Sequence, residues 1–231
     1  MVEPPLVISE IFGPTVQGEG PDVGKRCAFV RLGRCNLSCQ WCDTPYSWDW
    51  TRFDPAVELS EQSVDAVVAR LATMAIDTVV LTGGEPLLQQ RRVVPLIHAF
   101  RRLTWKTHVE TAGTIAWDAD PALVDRWVVS PKLANSGMSA RRRLRYDVLT
   151  RFADMGAAFK FVVVEASDLD EVAHIVGRAG IAPTSVWIMP EGTKPRAVAE
   201  RTAKLADDVI ARGWNLTTRL HVLAWGDKRG R

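Results

Sequence analysis

The stretch CNLSCQWC (35–42) places three of the four cysteines of the chain within eight residues. Disulfide bonds inside so short a loop would be strained, and the fourth cysteine, Cys27, lies upstream in the apolar run CAFVRL (27–32). The first residues, MVEPPLVISEIF, have no basic region and only a short apolar core, so we expect no secretory signal and a reducing, cytoplasmic location. Clustered cysteines in that setting indicate metal or redox chemistry.

The composition limits the broad class of the protein. With 231 residues, of which 47% are hydrophobic, the chain can bury one substantial core, and we expect a single domain over residues 1–231. A formal net charge of +2 favours neither nucleic acid nor a membrane surface as a partner. The apolar runs are also shorter than a membrane-spanning segment requires, so no membrane partner is predicted.

Short β-branched runs alternate along the chain with segments of helical periodicity, a pattern typical of an α/β fold with a mostly parallel sheet. Strands are predicted at 6–12, 27–32, 78–84, 107–111, 126–132, 158–165 and 185–192. Helices are predicted at 60–75, with Ser60 as the N-cap, and at 93–103, 167–180 and 195–212. The final run TRLHVLAW (218–225) is predicted to form a last strand that closes the sheet and buries Val222 and Trp225.

Polar and glycine-rich residues follow several of the predicted strands at the point where each strand ends. In α/β barrels the active site is built from loops at the carboxyl ends of the strands. We therefore expect these segments to converge on one site. They are the cysteine loop, Thr82 to Glu85, Glu110 with Thr111, Ser130 to Lys132, and Met189 to Glu191.

Three thiols in a C-x3-C-x2-C spacing limit which metal group the loop can hold. A structural zinc ion takes four protein ligands, and Cys27 would complete that set only if its strand pointed back at the loop. Three thiolates suit a 4Fe–4S cube with one iron left open, because such a cube normally takes four cysteines. Gly83 and Gly84 lack side chains, so a ligand could lie directly against the backbone where that strand ends.

The cysteine spacing, with Trp41 before the last cysteine, resembles that of radical S-adenosylmethionine (SAM) enzymes. Further segments resemble, in order and from end to end, the 7-carboxy-7-deazaguanine synthase family: EIFGPTVQGEG (10–20), FVRLGRCNLSCQWCDTPYSWD (29–49), LTGGEP (81–86), ETAGT (110–114), SPK (130–132) and LHVLAWGDKRG (220–230). The resemblance implies an incomplete parallel (βα) barrel of the radical SAM type with a shortened helical complement. It implies a lyase that contracts 6-carboxy-5,6,7,8-tetrahydropterin to 7-carboxy-7-deazaguanine with release of ammonia, in queuosine and deazapurine biosynthesis.

The same resemblance implies the cofactors and partners. They are one 4Fe–4S cluster with an open iron, SAM used as a regenerated cofactor, Mg²⁺, a flavodoxin or ferredoxin as electron donor, and a second copy of the chain in a homodimer. Because the radical is carried by the cofactor, no catalytic side chain is expected.

Roles follow from the resemblance for the residues that match its motifs. Cys35, Cys39 and Cys42 would hold the cluster, and Thr44 would hold Mg²⁺, although metal chemistry alone would favour the carboxylate of Asp43. The substrate would be bound by Val16, Gln17, Gly18, Glu19, Arg31, Thr82 and His221. SAM would be bound by Gly84, Glu110, Thr111, Ser130, Pro131, Lys132, Met189, Pro190, Glu191 and Gly192.

Some features leave alternatives open. Another radical SAM enzyme, such as an activase that makes a glycyl radical on a partner protein, would share the cysteines, and a non-catalytic module could hold zinc instead. Lys160 interrupts the apolar strand FKFVVV and is predicted to point toward the polar end of the barrel. The segment 134–146 carries no recognisable ligand chemistry, and its arginines 141–143 are predicted to be a solvated helix start.

Overall fold

The computed structural model describes residues 4–230, and within that range nine strands form one sheet. The strands alternate with helices through most of the chain, as predicted. Strands β1 to β9 span Leu6–Val16, Arg26–Leu32, Ser60–Gln62, Thr78–Gly83, Lys106–Thr111, Arg126–Val129, Ala158–Val163, Val186–Pro190 and Asn215–Leu216. Helices α1 to α8 span Pro55–Glu58, Val64–Ala72, Gln90–Arg102, Ala140–Arg143, Tyr146–Asp154, Asp168–Ala179, Pro195–Ala211 and Leu220–Trp225.

The sheet is an open, largely parallel barrel. Its order is β3-β1-β2-β4-β5-β6-β7-β8-β9, and every pair from β2 through β9 in that order is parallel. Strand β1 pairs antiparallel with β2 and with β3 at one edge. The predicted incomplete (βα) barrel is therefore confirmed. No helix within residues 4–230 is long and apolar enough to cross a membrane.

Side chains alternate along the parallel strands, so that one face of the sheet packs in the hydrophobic core and the other lines the cavity. On β7, Phe159 and Phe161 belong to the main hydrophobic core, whereas Lys160 and Val162 line a central cavity. On β4, Leu81 belongs to the core and Thr82 lines the cavity. Successive side chains of a strand point to opposite faces. Because Phe159 and Phe161 pack in the outer core, Lys160 between them points into the barrel. This agrees with the prediction that Lys160 points toward the polar end.

One predicted helix start is wrong, and one arginine that was predicted to be solvated is buried. Residues 60–62 form the edge strand β3 rather than the first turn of a helix, and α2 begins only after Ser63, whose hydroxyl accepts from the Ala66 amide at 3.2 Å. The basic segment is also less solvated than predicted. Arg143 is buried, with Nη2 2.7 Å from Glu171 and Nη1 2.8 Å from the Lys132 carbonyl, so it fastens α4 to the barrel.

The end of the chain differs most from the prediction. Residues 220–225 form the short helix α8 rather than a strand, and the two residues of β9 occupy the edge of β8 before it. Val222 is fully buried, as predicted, but the side chain of Trp225 is exposed. We call residues 217–225 the terminal segment.

Candidate active site

A cavity of about 210 Å³ opens at the carboxyl ends of the parallel strands. Its wall includes most of the residues predicted from the sequence as one site, drawn from β1, β2, β4, β5, β6, β8 and the terminal segment. Convergence follows from topology, because parallel neighbouring strands end at the same edge of the sheet. The predicted residues on the wall are Val16, Gln17, Gly18, Glu19, Arg31, Cys35, Cys39, Cys42, Thr44, Thr82, Gly84, Glu110, Thr111, Ser130, Lys132, Met189, Glu191 and His221.

The loop that carries the three cysteines, residues 35–44, forms one side of the cavity, and we call it the cluster loop. Cys35, Cys39 and Cys42 all line the cavity as free thiols. Donors already point at two of the sulfurs. The amide of Leu37 lies 3.4 Å from Sγ of Cys35, and Nε1 of Trp48 lies 3.3 Å from Sγ of Cys42. Hydrogen bonds to sulfur are one means by which a protein adjusts an iron–sulfur site.

Cys35, Cys39 and Cys42 share one cavity wall, as the ligands of one cluster must. Among residues 4–230, no group of three His, Cys, Asp or Glu side chains is arranged to hold a single metal ion. A cube binds each thiolate at a different iron, so three thiolates leave one of its irons open. Burial raises the pKa of Cys35 to about 12 and also raises that of Cys39, where Lys132 opposes the effect. Both thiols therefore carry a proton at neutral pH, and each must release it when it binds a metal as a thiolate.

Cys27 belongs to a different part of the barrel. It is buried on β2 among Phe29, Val80 and Phe12, and does not lie on the cavity wall. Burial raises the pKa of its thiol to about 12. The structure gives Cys27 the surroundings of a packing residue.

The neighbouring backbone leaves no room for a side chain at Gly83 or Gly84. A Cβ on Gly83 would overlap the carbonyl oxygen of Leu32, and one on Gly84 would overlap that of Arg34 and lie 2.8 Å from Cβ of Cys35. The sequence argument explained these glycines by a ligand against the backbone, but the backbone before the cluster loop occupies much of that space. Both residues still line the cavity, so they bring the end of β4 close to the cysteines.

The buried side chain of Glu85 stabilises the end of β4, next to the cluster loop. Its carboxylate is fully buried and accepts from the Leu87 amide at 3.0 Å, the Thr111 hydroxyl at 2.8 Å and the Ala112 amide at 2.8 Å. Burial raises the pKa of Glu85, and these hydrogen bonds oppose that rise. The acid of the GGE motif thus ties the end of β4 to the end of β5, and so to Thr111 on the cavity wall.

Another part of the cavity wall is polar and charged. We call Gln17, Glu19, Glu110 and Lys160 the substrate floor, after the role predicted for Gln17 and Glu19. Nζ of Lys160 lies 2.6 Å from Glu19 and 3.5 Å from Glu110, and Nε2 of Gln17 donates to Glu110 at 2.9 Å. Glu110, which was predicted to bind SAM, contacts Gln17 and Lys160.

Charges on the substrate floor are fixed by their neighbours. Burial would raise the pKa of Glu19, but Lys160, Arg219 and His221 together outweigh it and hold that pKa well below its ordinary value. Burial would likewise lower the pKa of Lys160, but Glu110 and Glu19 hold it above its usual range. Glu19 is therefore an acceptor and Lys160 a cation at neutral pH.

The terminal segment lies directly on the loop after β1. The Leu220 amide donates to the Gly18 carbonyl at 2.8 Å, and the Gly20 amide donates to the Thr217 hydroxyl at 2.9 Å. His221 lines the cavity with Nε2 3.8 Å from Glu19, and burial lowers the pKa of the imidazole. The prediction that His221 lies over the ligand pocket agrees with this geometry, although a helix and not a strand carries it.

Arg31 and the residues after Cys42 lie near the rim of the cavity. Nε of Arg31 is 3.5 Å from Glu10, and its guanidinium lies 5.8 Å from the ring centre of Phe12. Its ion pair is long, so the guanidinium remains available to a ligand. Oγ1 of Thr44 lies 3.7 Å from Sγ of Cys42, whereas the carboxylate of Asp43 is paired with Arg219.

The predicted SAM residues divide into wall and support. Nζ of Lys132 donates to Ser130 at 3.0 Å and lies 5.7 Å from the ring centre of Trp41. Within residues 4–230, three predicted SAM residues do not line the cavity, although residues next to them in sequence do: Pro131, Pro190 and Gly192.

Sequence reasoning missed Arg219, and it placed Glu85 in a segment of the site without giving that residue a role. Arg219 stands two residues before His221 with only 6% of its side chain exposed, and it contacts three separate loops. The signal was present in the sequence, since Arg219 directly precedes the terminal LHVLAW motif, but nothing local indicated which loops it would reach.

Comparisons with known proteins agree with this geometry. The family described as "4Fe-4S single cluster domain" matches residues 16–130. The crystal structure of QueE from Escherichia coli matches with a TM-score of 0.73 and 24% identity, covering 94% of this chain and 95% of that chain. Fold and site together define a radical SAM type of protein with a 4Fe–4S cluster.

Curated relatives give the family. A 7-carboxy-7-deazaguanine synthase from Pyrobaculum aerophilum is 38% identical over 99% of this chain and 98% of its own. One from Halobacterium salinarum is 36% identical over 97% of this chain and 92% of its own. The chain belongs to the 7-carboxy-7-deazaguanine synthase family.

Proposed function

We propose that this chain, as one domain, contracts 6-carboxy-5,6,7,8-tetrahydropterin to 7-carboxy-7-deazaguanine with release of ammonia, for queuosine or related deazapurines. The observation that carries the proposal is a single cavity whose wall contains both the three cysteines and the charged substrate floor. Family membership over nearly the whole chain supports the same reaction. It favours neither a glycyl-radical activase nor a zinc module.

The cluster loop would hold the iron–sulfur cube through Cys35, Cys39 and Cys42. When bound, the cube and SAM supply one-electron cleavage chemistry that starts hydrogen abstraction from the substrate. Gly84, Ser130, Lys132 and the other predicted SAM residues would bind SAM between the cube and the substrate floor. Leu37 is buried within this loop and Trp41 of the same loop lines the cavity, so both help to keep water away from a reactive centre.

The substrate floor matches the polar edge of a pterin. Glu19 and Glu110 offer carboxylate oxygens to the amino and ring N–H donors of the substrate, and the Gln17 amide can both donate and accept. Arg31 presents a guanidinium suited to a carboxylate. His221 lies on the same side of the cavity and would complete the carboxylate site. Lys160 holds Glu19 ionised, so that it accepts rather than donates.

Magnesium is proposed at Thr44, with substrate oxygens and waters as the other ligands. Mg²⁺ keeps several waters and prefers hard oxygen ligands. Support comes from the pairing of Asp43 with Arg219, which leaves the Thr44 hydroxyl as the free oxygen beside Cys42. We expect Thr44→Ala to weaken the Mg²⁺ dependence of turnover without loss of cluster iron. Identical Mg²⁺ titrations for Thr44→Ala and wild type would contradict this, and loss of the dependence in Asp43→Asn alone would move the ligand to Asp43.

A homodimer, a flavodoxin or ferredoxin donor and a cytoplasmic location complete the proposal. The exposed apolar side chains of Ile210, Leu223 and Trp225 on α7 and α8 support self-association. Four free thiols support a reducing location.

The reaction is tested by anaerobic reconstitution with iron and sulfide, followed by incubation with SAM, a one-electron reductant and the carboxytetrahydropterin. We expect 7-carboxy-7-deazaguanine and ammonia in equal amounts, and no product from Cys39→Ala. Cluster formation with SAM cleavage but without consumption of the pterin would overturn the proposed substrate. Stoichiometric zinc with no affinity for iron would overturn the proposed chemistry.

A further inference from the structure

Arg219 joins three loops that approach the cavity from different directions. Its Nε donates to Glu19 on the substrate floor at 2.9 Å, and its Nη1 donates to the Gly192 carbonyl after β8 at 2.8 Å. Its Nη2 pairs with Asp43 at the end of the cluster loop. Each nitrogen of one guanidinium therefore contacts a different segment at or next to the cavity wall.

The position of Arg219 makes these contacts rigid. Only 6% of its side chain is exposed, and Glu19 and Asp43 hold the pKa of the guanidinium above its usual range against the effect of burial. The backbone on either side is also fixed, by the hydrogen bonds of Thr217 with Gly20 and of Leu220 with Gly18. A planar fork with directional donors holds its partners at defined positions, which a lysine ammonium cannot do.

We propose that Arg219 is a positioning residue that fixes the spacing between the substrate floor and the cluster loop, so that SAM cleavage is coupled to hydrogen abstraction from the substrate. The inference rests on the proposed function. Its physical basis is that one guanidinium contacts both Glu19, on the substrate floor, and Asp43, the residue that follows the cluster ligand Cys42. Glu19 and Asp43 are both carboxylates and would repel each other without a cation between them.

Loss of the fork should change coupling more than folding. Arg219→Gln leaves Lys160 paired with Glu19, so the substrate floor keeps its main ion pair. What is lost is the connection from Glu19 and Gly192 to Asp43. A displacement of about 1 Å at a reacting centre lowers the rate on the order of a hundredfold.

The test compares Arg219→Gln and Arg219→Lys with wild type, and Arg212→Gln is the matched control because Arg212 pairs with the exposed Asp170 away from the cavity. Product formation, SAM cleavage, cluster iron and thermal unfolding are measured for each. We expect Arg219→Gln to stay folded and keep its iron, with a lower melting temperature because buried ion pairs are lost. We expect it to release product on the order of a hundredfold more slowly, with more SAM cleaved per product. Arg219→Lys should be intermediate and Arg212→Gln unchanged.

A second measurement needs no cofactor. Hydrogen exchange in the cofactor-free full chain should show faster exchange at the Leu220 amide and in the segments 39–44 and 190–194 for Arg219→Gln, but not for Arg212→Gln. Unchanged exchange in those segments would overturn the proposed fixing of the loops.

The kinetic outcomes are equally decisive. If product loss in Arg219→Gln only matches the loss of cluster or of folded protein, with the wild-type ratio of SAM cleaved to product, Arg219 is structural and the proposal is wrong. If Arg219→Gln does not fold, Arg219→Lys decides, and wild-type coupling in Arg219→Lys overturns the role of the fork. If the wild type itself fails to consume the pterin, the proposed function is wrong, while the exchange experiment still decides whether Arg219 fixes the loops.

Discussion

Substitution of Gly18 by alanine tests how the terminal segment shapes the substrate site. The imidazole of His221 occupies the space where a side chain at position 18 would lie, since a Cβ there would overlap Nδ1 and lie 2.8 Å from Cγ. The backbone of Gly18 is outside the left-handed region, so the strain in Gly18→Ala comes from this contact. The ring can rotate, whereas the Leu220–Gly18 backbone hydrogen bond of 2.8 Å resists movement. We therefore expect the ring of His221 to be displaced from the cavity.

The magnitude follows from the cost of an added methyl group in a packed site, which is about 1–3 kcal/mol. If that energy appears as weaker substrate binding, the affinity for the pterin falls roughly 5- to 150-fold. The assay is KM for the pterin, together with cluster iron and SAM cleavage without substrate. Those last two should stay at the wild-type level. The matched control is Gly177→Ala, at an exposed position of α6 where an added Cβ meets nothing within 4 Å.

A double-mutant cycle decides the mechanism. Once His221→Ala has removed the ring, the methyl group of Gly18→Ala has nothing to displace, so the double variant should bind the pterin no more weakly than His221→Ala alone. Additive losses in the double variant, or an unchanged KM in Gly18→Ala, would refute the reasoning.

Three further predictions concern the cluster, the junction at Glu85 and the response to pH. Cys27→Ala should keep cluster iron and lose only packing, whereas Cys39→Ala should lose the cluster; iron analysis that gave the reverse would exclude the ligand assignment. Glu85→Gln should unfold earlier, by about 2 kcal/mol or roughly 4–8 °C in a thermal scan of the cofactor-free protein, because the buried N–H donors lose their carboxylate, and an unchanged melting temperature would contradict this. Burial lowers the pKa of His108 despite Asp22 nearby, so the folded state binds fewer protons than the unfolded state and its stability should fall as the pH drops below the unfolded pKa of about 6.5. His108→Gln should show less of that fall between about pH 7 and 5.5, and an identical pH dependence in both proteins would count against His108 as its source.

Much of the fold could be predicted because it depends on local periodicity. Phe159, Phe161 and Val163 alternate with Lys160 and Val162, and that alternation alone separates the outer core from the inner cavity. The three-cysteine loop is equally local, since its ligands lie within eight residues. The local sequence pattern gave a wrong prediction where one segment could form either of two structures. Ser60 and Ser63 can both cap a helix, and Ser63 does so because residues 60–62 pair with β1 instead.

The substrate floor could not be derived because its contacts join distant parts of the chain. Lys160 was recognised as an anomaly in an apolar strand, but its partners Glu19 and Glu110 are 141 and 50 residues away in sequence. A buried lysine needs a carboxylate, and the sequence offers 27 acidic residues without indicating which two are close.

The terminal segment shows why such contacts decide local structure. LHVLAW was predicted to form a strand, yet β9 occupies the edge of β8 and residues 220–225 form a helix. The chain instead turns toward the cavity, where the Leu220 amide donates to the Gly18 carbonyl and the guanidinium of Arg219 donates to Glu19. A short helix then places His221 against a residue that has no side chain. Gly18 and His221 are thus a single feature of the site, 203 positions apart in the sequence, and neither residue can be interpreted without the other.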